Sequence, residues 1–149
     1  MKRPSMKFSI LFFIIMTISM TTHADAPAKK KLPPCQDTPN CVSSQSTDQP
    51  HYIAPFKISG DPKLAWAALR QAIMEHDRMI ITHETDSTLH AEATSLVLHF
   101  VDDIDAILYA DAGLIHIRSA SRLGHSDFGV NRKRIEKFRT QLRKLHVLG

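Results

Sequence analysis

Cysteine, glycine and tryptophan are all scarce in this chain. Two cysteines among 149 residues exclude a disulfide-dense scaffold and any four-cysteine zinc site. Five glycines exclude a collagen, and there is no Gly-x-Ser-x-Gly elbow of the kind that presents a hydrolase serine. No His-x-x-x-His or Glu-x-x-His spacing occurs among the nine histidines, so no metal site and no cofactor are predicted. One apolar run stands at the start, and it is too short for a comfortable transmembrane helix, which needs about 20 apolar residues. What remains is ordinary: 43% apolar and 23% charged residues describe a folded domain, and the length suits a single one.

The apolar run, Phe8 to Met20, follows Lys2, Arg3 and Lys7, and Thr22-His23-Ala24 places small residues before a cleavage point. Residues 1–24 therefore read as a signal peptide cut after Ala24, which predicts a periplasmic protein with no transmembrane span once cleaved. Retention as an anchor is the competing reading. Cleavage also changes the charge. The whole chain is +4, but residues 25–149 hold sixteen basic and fifteen acidic side chains, a net of +1. Non-specific attraction to nucleic acid loses its basis. The balance is uneven, with seven basic and thirteen acidic side chains over 25–117 against nine and two over 118–149.

Residues 25–50 form a proline-rich arm without helical or strand period. It contains Cys35-Gln-Asp-Thr-Pro-Asn-Cys41, and in an oxidising compartment two such cysteines pair. The spacing is not Cys-x-x-Cys, and two thiols are too few for a metal, so a structural disulfide pinning the arm is expected.

Residues 51–149 read as one α+β domain. A short extended piece precedes a helix opened by Asp61-Pro62, with Trp66, Leu69 and Ile73 on one face, ending near His76. Four strands follow: Met79–His83, Thr88–Thr94, Leu96 to about Tyr109, and Leu114–Ser121. Asn131 is the expected N-cap of a last helix reaching about Leu145, with Ile135, Phe138, Leu142 and Leu145 as its apolar stripe. The predicted fold is an antiparallel meander of four to five strands with both helices on one face, preceded by the extended cysteine arm.

If the last hairpin closes through Ala110–Gly113, Asp105 lies opposite Arg118, Asp103 opposite Ala120 and Ile107 opposite His116. Ile104, Ala106 and Leu108 then share the other face with Ile115, Ile117 and Ser119. Since a one-residue slip would exchange the faces, the apolar grouping supports this register. Asp102 and Asp103 must point to opposite faces, which argues against a catalytic pair, and Asp105–Arg118 is first a cross-strand ion pair. Asp103 and Asp105 share a face, but two carboxylates without a ligand loop are weak support for a hard cation. His125-Ser126-Asp127 is a turn rather than a triad, because contiguous side chains diverge. Arg132, Lys133 and Arg134 in the first helical turn oppose the helix dipole, so Asp127, the acidic body or a bound anion is expected to offset them.

Pro34-Cys35-x-Asp-Thr-Pro-Asn-Cys41-Val-Ser, His51-Tyr-Ile-x-Pro55, Phe100-Val-Asp-Asp103 and Arg118-Ser-Ala-Ser-Arg122-x-Gly-x-Ser-Asp127-x-Gly-x-Asn131 occur in that order. On these motifs, over about residues 33–145, the chain resembles domain-of-unknown-function family 1499. The resemblance implies an exported or membrane-associated protein and implies no particular reaction. The candidate polar site collects Asp102, Asp103, Asp105, Arg118, Ser119, Ser121, Arg122, Ser126, Asp127, Asn131 and Arg132. No residue is assigned a catalytic role. The leading expectation is a small exported binding or interaction domain whose partner is an anionic small molecule or an envelope protein. One alternative is a hydrolase-type enzyme using Asp103, with Arg118 and Arg122 holding an anionic substrate. Another is envelope-surface binding through Lys133, Lys137, Arg143 and Lys144 of the basic last helix. Amino-terminal sequencing of the exported protein is expected to begin at Asp25. A start at Met1 would show instead that the leader is kept.

Overall fold

A computed structural model describes residues 30–149; the expected leader lies outside the described residues. Helix α1 spans Pro62–Met74, and the Asp61 side chain accepts the Lys63 N–H at 2.8 Å ahead of Pro62. This is the N-cap and proline arrangement expected from the sequence. Arg78 in the left-handed region (φ 58°) reverses the chain into strand β3, Met79–Glu84. Strands β4 (Thr88–Thr94), β5 (Val101–Tyr109) and β6 (Leu114–Ser121) continue the meander, and helix α2 (Val130–Lys144) closes the domain.

The sheet is antiparallel and has six strands, two more than the four long ones. The added strands are short. β1 (Cys41–Ser43) belongs to the arm and pairs with Ala120, Ser119 and Arg118 at the far end of β6. β2 (Phe56–Lys57) pairs with Ile115 and Leu114 at the near end. The lateral order is β1-β6-β5-β4-β3, with β2 sharing the edge of β6. β1 is too brief to display a period of two and reads as loop until β6 offers its unpaired edge, whereas β2 falls within the short extended piece expected ahead of α1, which Pro55 confines to an edge.

The β5–β6 register matches the expectation, with Asp105 facing Arg118, Asp103 facing Ala120 and Ile107 facing His116. Ile104, Ala106, Ile115 and Ile117 are fully buried with Ala65, Leu69, Ile73, Ile135, Phe138 and Leu142, so both helices cover that face. Leu89, Ala91 and Ala93 of β4 extend the same apolar layer. Arg139 fastens α2 to the segment before β2. It donates to the carbonyls of Pro55 (3.1 Å) and Ala54 (2.6 Å), and its guanidinium lies 4.7 Å from the Phe56 ring centroid.

Two boundaries differ from the sequence reading. β5 starts at Val101 rather than Leu96, because Ser95 ends the pairing: its N–H donates to the Phe100 carbonyl at 2.8 Å and its hydroxyl accepts the Phe100 N–H at 2.9 Å. Leu96, Val97 and Leu98 therefore stand out in a turn, well exposed. The N-cap of α2 is Gly129 (φ 78°), not Asn131. Asp127 does the capping through two carboxylate bonds, from the N–H groups of Gly129 (2.9 Å) and Asn131 (2.8 Å). It supplies the negative charge that the cationic first turn requires.

Cys35 and Cys41 are joined in a disulfide, with Cα atoms 5.7 Å apart, so the expected pairing is present. The arm is otherwise held by hydrogen bonds. The Leu32 N–H donates to Gln45 Oε1 at 2.8 Å, and the Tyr109 hydroxyl donates to the Lys30 carbonyl.

Phe138 is fully buried and Phe128 is 89% exposed. In urea denaturation, Phe138→Ala is expected to cost about 3–5 kcal/mol with an unchanged slope, while Phe128→Ala stays within about 0.5 kcal/mol.

Candidate functional site

The sheet divides the polar residues into two groups. Side chains alternate along a strand, so Asp102, Ser119 and Ser121 face the helices while Asp103, Asp105 and Arg118 face the other way.

The helix-side group is a closed network around Asn131, which is completely buried. Asn131 Oδ1 accepts from Ser119 Oγ (2.5 Å) and Arg134 Nη1 (2.6 Å). Its Nδ2 donates to the Asn40 carbonyl and to Ser121 Oγ, each at 3.0 Å. Arg134 Nη1 also donates to Ser119 Oγ at 2.9 Å, and its Nη2 donates to Asp102 Oδ2 at 2.6 Å. Among the described residues, Asp102 and Arg134 form a largely buried ion pair. Together with the Asp127 cap, this pair answers the cations of the first turn internally. Arg132 donates to the Pro50 carbonyl at 2.9 Å, and the hydroxyl of exposed Ser126 accepts the Phe128 N–H at 3.3 Å.

The open-side group is an ion-pair ladder across β4, β5 and β6. Arg118 Nη1 donates to Asp105 Oδ2 at 2.9 Å, and Asp105 Oδ1 lies 2.7 Å from His90 Nδ1. Arg122 donates Nε and Nη2 to Asp103 Oδ1 at 3.0 and 2.7 Å, and Nη2 also reaches Glu92. The Asp103 hydrogen bonds, then those of Glu92, hold the Arg122 guanidinium more firmly in its charged form. His90, Glu92 and Asp103 bring possible metal-ligand atoms within 4.8 Å of one another. Arg122 already engages both of those carboxylates, so its guanidinium stands where a metal cation would be needed.

The disulfide loop adds a wall to this ladder. Gln36, Asn40, Cys41, Asp103, Arg118, Ala120, Ser121 and Arg122 line a pocket of about 210 Å³. Asn40 is locked there by donating Nδ2 to the Gly124 carbonyl at 2.6 Å and by accepting from Thr38 Oγ1 at 2.7 Å. Arg118 Nε is buried and finds no hydrogen-bond partner among the described residues. Two guanidinium groups thus border the pocket, Arg118 paired with Asp105 and Arg122 with Asp103 and Glu92.

A larger groove, about 590 Å³, runs between residues 31–37 and the 43–51 segment. Lys31, Gln36, Asp48, His51 and Tyr109 are among its lining residues. Sequence reasoning passed over it, although His51 opens one of the resembling motifs. His51 Nδ1 meets Asp48 Oδ2 at 2.6 Å and Nε2 meets the Thr38 carbonyl at 3.0 Å. Only an imidazolium donates from both nitrogens, so the Thr38 carbonyl first, and Asp48 next, raise the His51 pKa despite its burial.

The family profile for "Protein of unknown function (DUF1499)" matches residues 31–142. The chain belongs to the DUF1499 family. No curated protein and no solved structure matches it. The matched span of the DUF1499 domain takes in the arm from residue 31, the disulfide, the six strands of the described sheet, and α2 to Leu142.

A raised histidine pKa stabilises the fold below the unfolded value near 6.5, and that contribution is lost as pH rises through the folded value. The stability gap between the wild-type DUF1499 domain and His51→Gln is therefore expected to be widest near pH 5 and to shrink above about pH 6.5. Urea denaturation at stepped pH measures it.

Proposed function

We propose that this DUF1499 domain is an exported binding module, periplasmic after loss of residues 1–24. Its ligand is a small anionic molecule held in the pocket between the disulfide loop and β6. Arg118 carries this reading, because its guanidinium borders the pocket while giving Nη1 to Asp105. A guanidinium matches the fork of a carboxylate or phosphate. Arg122 adds a second positive charge, while Asn40, Gln36 and Ser121 offer neutral hydrogen-bonding groups.

A binding role is favoured over a hydrolase role by the state of Asp103. Both of its oxygens accept from Arg122, leaving it a partner in an ion pair. The exposed cations Lys133, Lys137, Arg143 and Lys144 of α2 support a separate surface contact with the envelope.

Isothermal titration of the exported protein with inorganic phosphate and with succinate tests the pocket. At least one anion is expected to bind the wild-type chain, with affinity falling about tenfold or more in Arg118→Gln. Lys137→Ala, remote from the pocket, is expected to leave affinity unchanged. Absence of binding by the wild-type chain, or equal binding by the Arg118 variant, would refute the assignment.

A further inference from the structure

The end of the sheet where β5 begins and β6 finishes carries an apolar tip that the pocket does not involve. Asp102 pairs with Ser121, and the Arg122 N–H donates to the Val101 carbonyl at 3.0 Å. Loops 95–100 and 122–129 therefore leave the sheet side by side. Leu96 (67% exposed), Val97 (79%), Leu98 (65%), Leu123 (65%) and Phe128 (89%) all project from them. Such a concentration differs from the scattered single apolar side chains of an ordinary surface. The backbone assists it: His99 (φ 53°) and Phe128 (φ 52°) occupy the left-handed region that non-glycine residues avoid.

In the groove beside this tip, cations outnumber carboxylates. Residues 95–100 hold no acid, and residues 122–129 hold only Asp127, which is spent on the N–H groups of Gly129 and Asn131. A groove of about 330 Å³ beside the loops is bordered by Arg78, Lys133 and Lys137. Of the carboxylates there, Asp102 is held by Arg134, and Asp77 stands against the three other cations. A second copy docked by the same patch would bring these like charges together. An anionic partner with an apolar interior meets both features.

We propose that this end of the sheet docks on an anionic phospholipid surface. Leu96–Leu98, Leu123 and Phe128 enter the acyl boundary, and Lys133 and Lys137 face the lipid phosphates. Apolar area and basic rim then act together, as at other interfacial membrane contacts.

Fluorescence of a Phe128→Trp chain tests this, with the wild-type chain as the blank for Trp66. Signal at position 128 reads the tip itself, so a retained leader tethering the chain elsewhere does not imitate it. Vesicles of brominated phosphatidylglycerol are expected to shift the emission to the blue and quench it. Phosphatidylcholine vesicles should do neither, and high salt should weaken the effect. Adding Lys133→Glu and Lys137→Glu should weaken partitioning about tenfold or more. Leu123→Trp gives the same reading from the second loop. Emission unchanged by phosphatidylglycerol in both tryptophan variants would overturn the proposal. So would equal response to phosphatidylcholine, or a vesicle-independent dimer that buries position 128.

Discussion

Asn131 uses both side-chain N–H donors, its side-chain oxygen and its backbone N–H, and it does so with no access to solvent. Those bonds reach the arm at Asn40, β6 at Ser119 and Ser121, and the preceding loop at Asp127. Arg134 passes the connection on to Asp102 of β5. A buried amide left unpaired costs about 1–3 kcal/mol, so the partners must arrive together. The junction therefore fixes four things at once: the start of α2, its roll on the sheet, the end of β6, and the seat of the disulfide loop. A short disulfide ring alone would leave the arm free to swing about its own ends. Asn40 is what makes it part of the domain, since its carbonyl also accepts the Ser121 N–H at 2.9 Å.

The period of two along β5 gives adjacent aspartates different work. Asp102 turns inward, where the low dielectric strengthens its pairing with Arg134 and makes loss of either partner expensive, about 3–5 kcal/mol. Asp103 turns outward and pairs with half-exposed Arg122, a contact weakened by solvent. Scaffold and surface are thus one side chain apart. The same division separates Ser119, which has no solvent access, from Arg118, which borders the pocket. A ligand on the open side can be exchanged for solvent without disturbing the helix-side network.

The long elements were legible because they obey strong local rules. Asp61-Pro62 announces α1, strict alternation announces β4, and the apolar grouping of Ile104 and Ala106 with Ile115 and Ile117 fixes the final hairpin register. The misses have physical causes. Leu96–Leu98 look like strand because they are apolar, but a serine turn with left-handed His99 releases them to the surface. Asn131 looks like a cap because asparagine favours caps, yet tertiary hydrogen bonds claimed its side chain and Asp127 took over the capping. β1 has no period to read and exists because β6 offers an edge. The arm groove was invisible because it depends on residues 31–51 folding back across Tyr109, a contact with no sequence spacing.

The residues that carry the family resemblance do not form one locus. Asp102, Ser119, Asp127 and Asn131 belong to the buried fastening, whereas Asp103, Arg118 and Arg122 belong to the open pocket. Ser121 serves both, bonding to Asn131 from the helix side while also bordering the pocket, and Cys41 begins the strand that closes the pocket's wall. A motif with these two halves has a simple physical reading. Two guanidinium groups on a strand edge recognise little by themselves, because water and their own aspartates satisfy them. They acquire a shaped neighbour only if a separate segment is held against that edge at fixed height. The disulfide narrows that segment and Asn131 bolts it down. The buried half of the motif is thus what gives the open half its geometry.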